Sequence, residues 1–220
     1  MSQTPHSGAQ WSVKLQGDRL LRPRFVLASG SPRRSELLTS VGLEFLVRPA
    51  DICEDFWPSE KPEEAVVRLA RTKARSVREL SGAGDFDVNL AVLSADTVVV
   101  LDEEIFGKPS GLEHGRQMLT KLSARTHRVM TGWCLLGPER EIFDSEVSEI
   151  KFRDLSAKEI DLYLACGEYA DKAGAYAIQG RGGYLIEKVS GSYTNIVGLP
   201  LAEVVKALTD MLGAAGLGLD

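Results

Sequence analysis

Several things this chain has little of narrow the field before anything it contains does. Cysteine is scarce: Cys53, Cys134 and Cys166 are an odd number and far apart, which excludes a disulfide framework and a paired zinc motif and reads as reduced thiols in a cytoplasmic protein. The three histidines, His6, His114 and His127, are dispersed, and no HExxH helix occurs. There is no excess of positive charge. With 26 Lys and Arg against 31 Asp and Glu, the formal net charge of -5 argues against a nucleic-acid partner, which needs a basic face. No uninterrupted apolar run is long enough to span a membrane, and Met1 to Gly17 lacks the hydrophobic segment of a secretory signal, so no membrane partner is expected. The phosphate-binding GxxxxGK[ST], the dinucleotide GxGxxG and the nucleophile elbow GxSxG are all missing.

What is present suits one α/β domain. The 220 residues are 44% hydrophobic, enough for a substantial core. Residues 1–24 read as a flexible leader, 25–213 as a single catalytic domain and 214–220 as a frayed tail. The organising stretch is Leu90 to Leu101, an apolar run that reads as a buried strand with one carboxylate, Asp96, in its middle. A buried carboxylate must be paired, bound to metal, protonated or placed where the strand opens into a cleft. It can also be a structural residue that receives backbone N–H groups. Thr97, next in the strand, points to the opposite face.

Around that strand lie the makings of a polyanion site. Phe25 to Ala28 is a short buried strand, followed by Ser29-Gly30-Ser31-Pro32-Arg33-Arg34 and a helix closed by Gly42. Ser31 suits the N-cap and Pro32 the first helical position. The unpaired N–H groups of a helix start favour an anion, and Arg33 and Arg34 stand beside them; a plain strand-turn-helix is the alternative. The acidic loop Asp51 to Asp55 holds Glu54 and could coordinate Mg²⁺ or simply be solvated. Pro62 to Leu80 is the clearest amphipathic helix, and Lys73 falls in the centre of its apolar stripe. A lysine there either snorkels to the surface or meets a negative partner.

Later segments are read in the same way. Lys108 is held extended by Pro109, and Leu112 to Leu122 is helical. His127 to Leu136 and Ile142 to Phe152 form a hairpin suited to a sheet edge or a second lobe, with His127 in a structural role. Ser156-Ala157-Lys158-Glu159 is a capping box opening a helix that ends at Gly167. The glycine-rich segment Asp171 to Gly183, which includes Gln179, permits either close approach to a ligand or only tight turns. Leu185 to Val189 reads as strand, Ser190 to Asn195 as loop and Leu201 to Leu212 as a closing helix.

Taken together, Ala28-Ser-Gly-Ser-Pro-Arg-Arg, Ala70-Arg-Thr-Lys-Ala-Arg, Ser94-Ala-Asp-Thr-Val-Val, Gly107-Lys-Pro, Thr126-His-Arg-Val-Met-Thr-Gly, Asp171-Lys-Ala-Gly-Ala-Tyr-Ala-Ile-Gln-Gly and Gly191-Ser-Tyr-Thr-Asn-Ile-Val-Gly-Leu-Pro-Leu resemble the Maf family of nucleoside triphosphate pyrophosphatases. The motifs run in the family's order from about Phe25 to Leu212. The resemblance implies an α/β fold like that of inosine triphosphate pyrophosphatases, with a long mixed sheet flanked by helices and two lobes around a central cleft. It implies hydrolysis of a nucleoside triphosphate to the monophosphate and pyrophosphate with a divalent cation, Mg²⁺ or Mn²⁺, and it suggests a homodimer. Carried over residue by residue, Asp96 is catalytic, Glu54 and Asp96 bind the metal, and Ser29, Arg33, Arg34, Lys73 and Lys108 bind substrate phosphates. Arg33, Thr97 and Gln179 match the specificity positions of the branch acting on dTTP and UTP. A 7-methyl-GTP pyrophosphatase and a non-catalytic nucleotide-binding regulator of cell division are the competing readings.

Overall fold

The structure, a computed structural model, describes residues 24–81 and 86–217. The leader, apart from Arg24, the first half of the Gly82 to Asn89 link and the last three residues lie outside the described residues. The elements in chain order are β1 (Phe25–Leu27), α1 (Pro32–Ser40), β2 (Phe45–Val47), α2 (Pro62–Ser81), β3 (Ala91–Leu101), β4 (Glu104–Phe106), α3 (Leu112–Leu122), β5 (Thr126–Leu136), β6 (Glu141–Phe152), α4 (Ala157–Leu164), β7 (Ile186–Ser190), α5 (Tyr193–Val197), α6 (Leu201–Leu212) and α7 (Ala214–Leu217). Two short 3₁₀ turns, Ala173–Ala175 and Gly180–Leu185, carry the glycine-rich segment.

The strands form one seven-stranded mixed sheet in the order β2-β1-β3-β5-β6-β7, with β4 folded back onto β3. Pairing of β2, β1 and β3 is parallel, and the remaining pairs are antiparallel. This is the expected long mixed sheet flanked by helices. The β5–β6 hairpin, expected at an edge or in a separate lobe, instead occupies the sheet interior, because β3 takes β5 and β7 covers β6.

Strand β3 shows why the sheet separates two chemistries. Its side chains alternate, so Val92, Ser94, Asp96, Val98 and Val100 face α2, where Val92 packs with Ala70, Ala74 and Val77, and Val98 and Val100 pack with Val66. On the opposite face the core divides. Ala91, Leu93 and Ala95 pack with Leu38 of α1 and Val204 and Leu208 of α6, whereas Val99 and Leu101 pack with Leu119 of α3 and Tyr163 of α4. Thr97 lies between those two apolar clusters and lines the cleft.

Sequence expectations for the long helices hold: α3 and α6 have the expected limits, and Ser156 and Glu159 make the reciprocal capping box at the start of α4. That helix stops at Leu164, short of Gly167, which takes a left-handed φ of 75° in the turn beyond. Of Ser190 to Asn195, expected as loop, Ser190 ends β7 and Tyr193 to Asn195 open the short helix α5, with the Ser192 hydroxyl accepting the Asn195 N–H. The Gly-Ala stretch expected to fray makes a further turn of helix, α7, and buries Leu217. None of the helices among the described residues is long and apolar enough to cross a membrane.

Candidate active site

The residues assigned to the site from the sequence all line one cleft of about 690 Å³: Ser29, Arg33, Arg34, Glu54, Lys73, Asp96, Thr97, Lys108 and Gln179. They come from the β1–α1 loop, α1, the β2–α2 loop, α2, β3, the β4–α3 loop and the glycine-rich segment, so the fold collects polar groups scattered over more than half the chain. A cleft in which cationic and acidic side chains converge is suited to a polyanionic ligand.

At its floor, Lys73 is 7% exposed and does not snorkel. Its ammonium donates to Asp96 Oδ1 at 2.6 Å and lies 2.9 Å from Glu54 Oε1. Asp96 is also 7% exposed. Two nearly buried charges tolerate removal from water when each supplies the other's hydrogen bonds. Ser94, two residues earlier on the same face, donates to the Ala70 carbonyl at 2.6 Å and fastens β3 to the helix that carries Lys73.

Glu54 is held by its own loop. Arg68 of α2 grips Glu60 with two bonds of 2.6 and 2.7 Å, donates to the Asp55 carbonyl and stacks its guanidinium 4.1 Å from the centre of the Trp57 ring. Partial burial by itself raises the pKa of Glu54. The hydrogen bond and charge of Lys73, with Lys108 and Arg34 behind them, outweigh that and hold the carboxyl below its ordinary value.

On the other face of β3, Arg34 is fixed by three bonds: Nε to the Gly198 carbonyl at 2.8 Å, Nη1 to Ser29 Oγ at 3.0 Å and Nη2 to Thr97 Oγ1 at 3.1 Å. A guanidinium has five N–H groups, so one on each terminal nitrogen remains for a ligand. Burial pulls the Arg34 pKa down while Asp96 and Glu54 push it up, and the guanidinium stays charged.

Ser31 takes the N-cap position with Pro32 behind it, yet its side chain does not cap the helix. The Ser29 hydroxyl accepts the Ser31 N–H at 3.2 Å instead. The start of α1 thus lines the cleft without a side-chain cap on its first N–H groups, the condition under which a helix start takes an anion.

The segment bearing Gln179 forms the far wall. The Tyr163 hydroxyl accepts the Ala177 N–H, and the Glu168 carboxylate accepts the N–H groups of Arg181 and Gly182. A Cβ on Gly182 would run into the Ala177 carbonyl oxygen, so tight turns account for the glycine there. His127 stands outside the cleft: its Nε2 meets the Tyr176 hydroxyl at 2.8 Å, and burial pushes its pKa down to about 4.

Sequence reasoning assigned no role to Thr131, Asn195, Gly198 or Gly132, all of which bear on the site. The only signal was that each sits in a stretch of the family resemblance. Glu54 and Asp96 fit a divalent cation, because both point an oxygen at one positive centre, the Lys73 ammonium. Among the described residues no group of three or more His, Cys, Asp or Glu could hold a metal alone. Two carboxylates completed by substrate phosphate oxygens and water form the donor set magnesium takes.

Comparison with known proteins agrees with this geometry. The family model described as Maf-like protein matches residues 24–211. The chain is 48% identical over 193 residues to a dTTP/UTP pyrophosphatase of Citrifermentans bemidjiense, covering 87% of this chain and 96% of that protein. It is 46% identical over 185 residues to a dTTP/UTP pyrophosphatase of Escherichia coli O157:H7, covering 84% of this chain and 91% of that one.

Proposed function

The chain belongs to the Maf-like protein family, and from that premise we propose that it is a nucleoside triphosphate pyrophosphatase hydrolysing dTTP and UTP to the monophosphate and pyrophosphate. The observation that carries the reading is the Lys73 ammonium joining Asp96 and Glu54 at the floor of a cleft walled by arginines. Relatives at 46–48% identity named for this activity support it.

The reaction adds water to the α-phosphorus and breaks its bond to the bridging oxygen of the departing pyrophosphate. The protein's tasks are to position the chain of phosphates, to neutralise it and to orient the water. Ser29, Arg33, Arg34 and the start of α1 bind phosphate oxygens, the arginines as forks. Lys73 and Lys108 add further positive charge within the same cleft. Asp96 accepts a hydrogen bond from the water and takes its proton as the oxygen joins phosphorus. Glu54 and Asp96 would hold Mg²⁺ or Mn²⁺, which when bound supplies charge neutralisation at the phosphate oxygens. Gln179, whose amide both donates and accepts, reads the edge of a pyrimidine, with Arg33 and Thr97 as the other selectivity positions. The protein is a homodimer in this reading, and sedimentation at micromolar concentration tests that part.

The decisive experiment measures pyrophosphate release from dTTP, UTP, CTP, GTP and 7-methyl-GTP, with Mg²⁺ or Mn²⁺ and with EDTA. The expected result is rapid release from dTTP and UTP that requires the cation. Preference for 7-methyl-GTP would move the chain to the other branch, and tight nucleotide binding without release would make it a regulator.

A further inference from the structure

We infer that Thr131, through a closed ring of hydrogen bonds, is a positioning residue for the Arg34 guanidinium. The ring is built from groups far apart in sequence. Arg34 donates Nε–H to the Gly198 carbonyl at 2.8 Å and Nη2–H to Thr97 Oγ1 at 3.1 Å. Thr97 and Thr131 are cross-strand partners on β3 and β5, and their hydroxyl oxygens are 2.9 Å apart. Thr131 Oγ1 reaches the Asn195 carbonyl at 3.2 Å, and that same carbonyl accepts the Gly198 N–H at 2.9 Å. The ring thus returns to the residue on which Arg34 rests.

Counting protons fixes its direction. A carbonyl cannot donate, so Thr131 spends its single proton on Asn195. Thr131 must then accept from Thr97, and Thr97 spends its proton in turn. Both lone pairs left on Thr97 are acceptors, one of them facing Arg34. Without the Thr131 hydroxyl, the Thr97 rotor loses this bias and is free to turn a proton toward a cation.

The anchor of the ring is rigid. Asn195 and Thr131 are both fully buried, and the Asn195 amide donates to the Val129 carbonyl at 3.1 Å and to Ser148 Oγ at 2.9 Å. Ser148 passes its own proton to the Ser192 carbonyl at 3.1 Å. Gly198 adopts a φ of 124°, which a side chain rarely takes, so the turn that presents its carbonyl depends on glycine. Such a network holds Arg34 in one rotamer before a ligand arrives, which is how preorganisation aids recognition of a polyanion.

The inference uses the assignment of the cleft to polyphosphate, and its test separates the two. Thr131→Val removes the hydroxyl and keeps the shape, and Thr131→Ser keeps the hydroxyl. Each is made in the parental chain and in Arg34→Ala, and inorganic tripolyphosphate affinity is read by calorimetry beside kcat and KM for dTTP. Loss of one oriented hydrogen bond to a charged group predicts about tenfold weaker tripolyphosphate binding for Thr131→Val. Affinity within about threefold of the parent is expected for Thr131→Ser, and no further loss from Thr131→Val once Arg34 is gone. An equal loss with and without Arg34 would overturn the inference. If Thr131→Val does not fold, Thr131→Ala, which also removes the hydroxyl, is judged by the same coupling. Coupling in tripolyphosphate binding with no hydrolysis of any nucleotide would support the ring while removing the assigned reaction.

Discussion

Asp96 and Gly132 face each other across β3 and β5, and the glycine leaves the space above the sheet in which α2 comes down over the carboxylate. A Cβ at Gly132 would stand 2.5 Å from the Val66 carbonyl oxygen, inside any tolerable contact with a helix backbone. The close approach is what lets Lys73, two turns further along α2, meet Asp96. Gly132→Ala is therefore expected to push α2 outward, lowering stability by about 1–3 kcal/mol as overpacking of a core does. Pyrophosphate release should fall further than stability does. Urea unfolding together with dTTP turnover checks this, and unchanged values for both would refute the close-approach argument.

The pair itself gives the sharpest substitutions. Asp96→Asn keeps shape and a hydrogen-bond acceptor for Lys73 but removes the negative charge. It is expected to fold and to lose about 10²-fold or more in kcat, in line with removal of a general base. Retention of parental turnover in a folded Asp96→Asn protein would end the assignment of the base.

Lys73→Met tests the other half. The thioether keeps most of the stem's volume, so core packing survives, but Asp96 and Glu54 then face each other's charge without a mediator. We expect a raised KM and a lowered kcat, and stronger activation by Mg²⁺ than in the parent because the cation becomes the carboxylates' sole counter-charge. Unchanged kinetics would reduce Lys73 to a packing residue.

What a sequence makes legible is set by the range of each interaction. Helices α2, α3 and α6 announce themselves through local periodicity, because one buried face fixes their repeat, and the strand around Asp96 through an unbroken apolar run, because both its faces are covered. Lys73 is visible in the apolar stripe of α2 for the same helical reason, but the stripe alone leaves both snorkelling and a negative partner open, and burial in the fold selects the second. Its partners were not visible, since Asp96 arrives from another element. The place of the β5–β6 hairpin inside the sheet depends on pairing with β3 and β7, which no local pattern encodes. Helix α5 escaped notice because five residues are too few to display a helical repeat. The ring through Thr131 was hidden more deeply: Arg34 and Gly198 are 164 positions apart, and neither threonine differs in composition from an ordinary strand residue.

The last expectation concerns acid. His127 is 1% exposed, packed edge-on between Phe152 and Tyr176, and its Nδ1 has no hydrogen-bond partner. Burial lowers its folded-state pKa from 6.5 to about 4. Between those two values the unfolded chain binds a proton that the folded protein refuses, so stability rises with pH across the window. Read downward, the contribution is complete above pH 6.5, is lost progressively below it and levels off near pH 4, where the folded state also takes the proton. The span corresponds to about 3 kcal/mol at about 1.4 kcal/mol per pKa unit. Glu54 acts in a separate range: its folded pKa is depressed, so its contribution persists above its ordinary 4.5 and falls only below that. Urea midpoints taken from pH 7 to pH 5 therefore report the histidine once the parent is compared with a variant lacking it, since Glu146, whose folded pKa burial raises and whose contribution runs the opposite way, is common to both. The parent should lose stability steadily over that interval, and His127→Gln, which cannot titrate, should show a much flatter profile whatever its absolute stability. Equal slopes in the two proteins would show that the imidazole accepts its proton as readily in the folded state as in the unfolded chain.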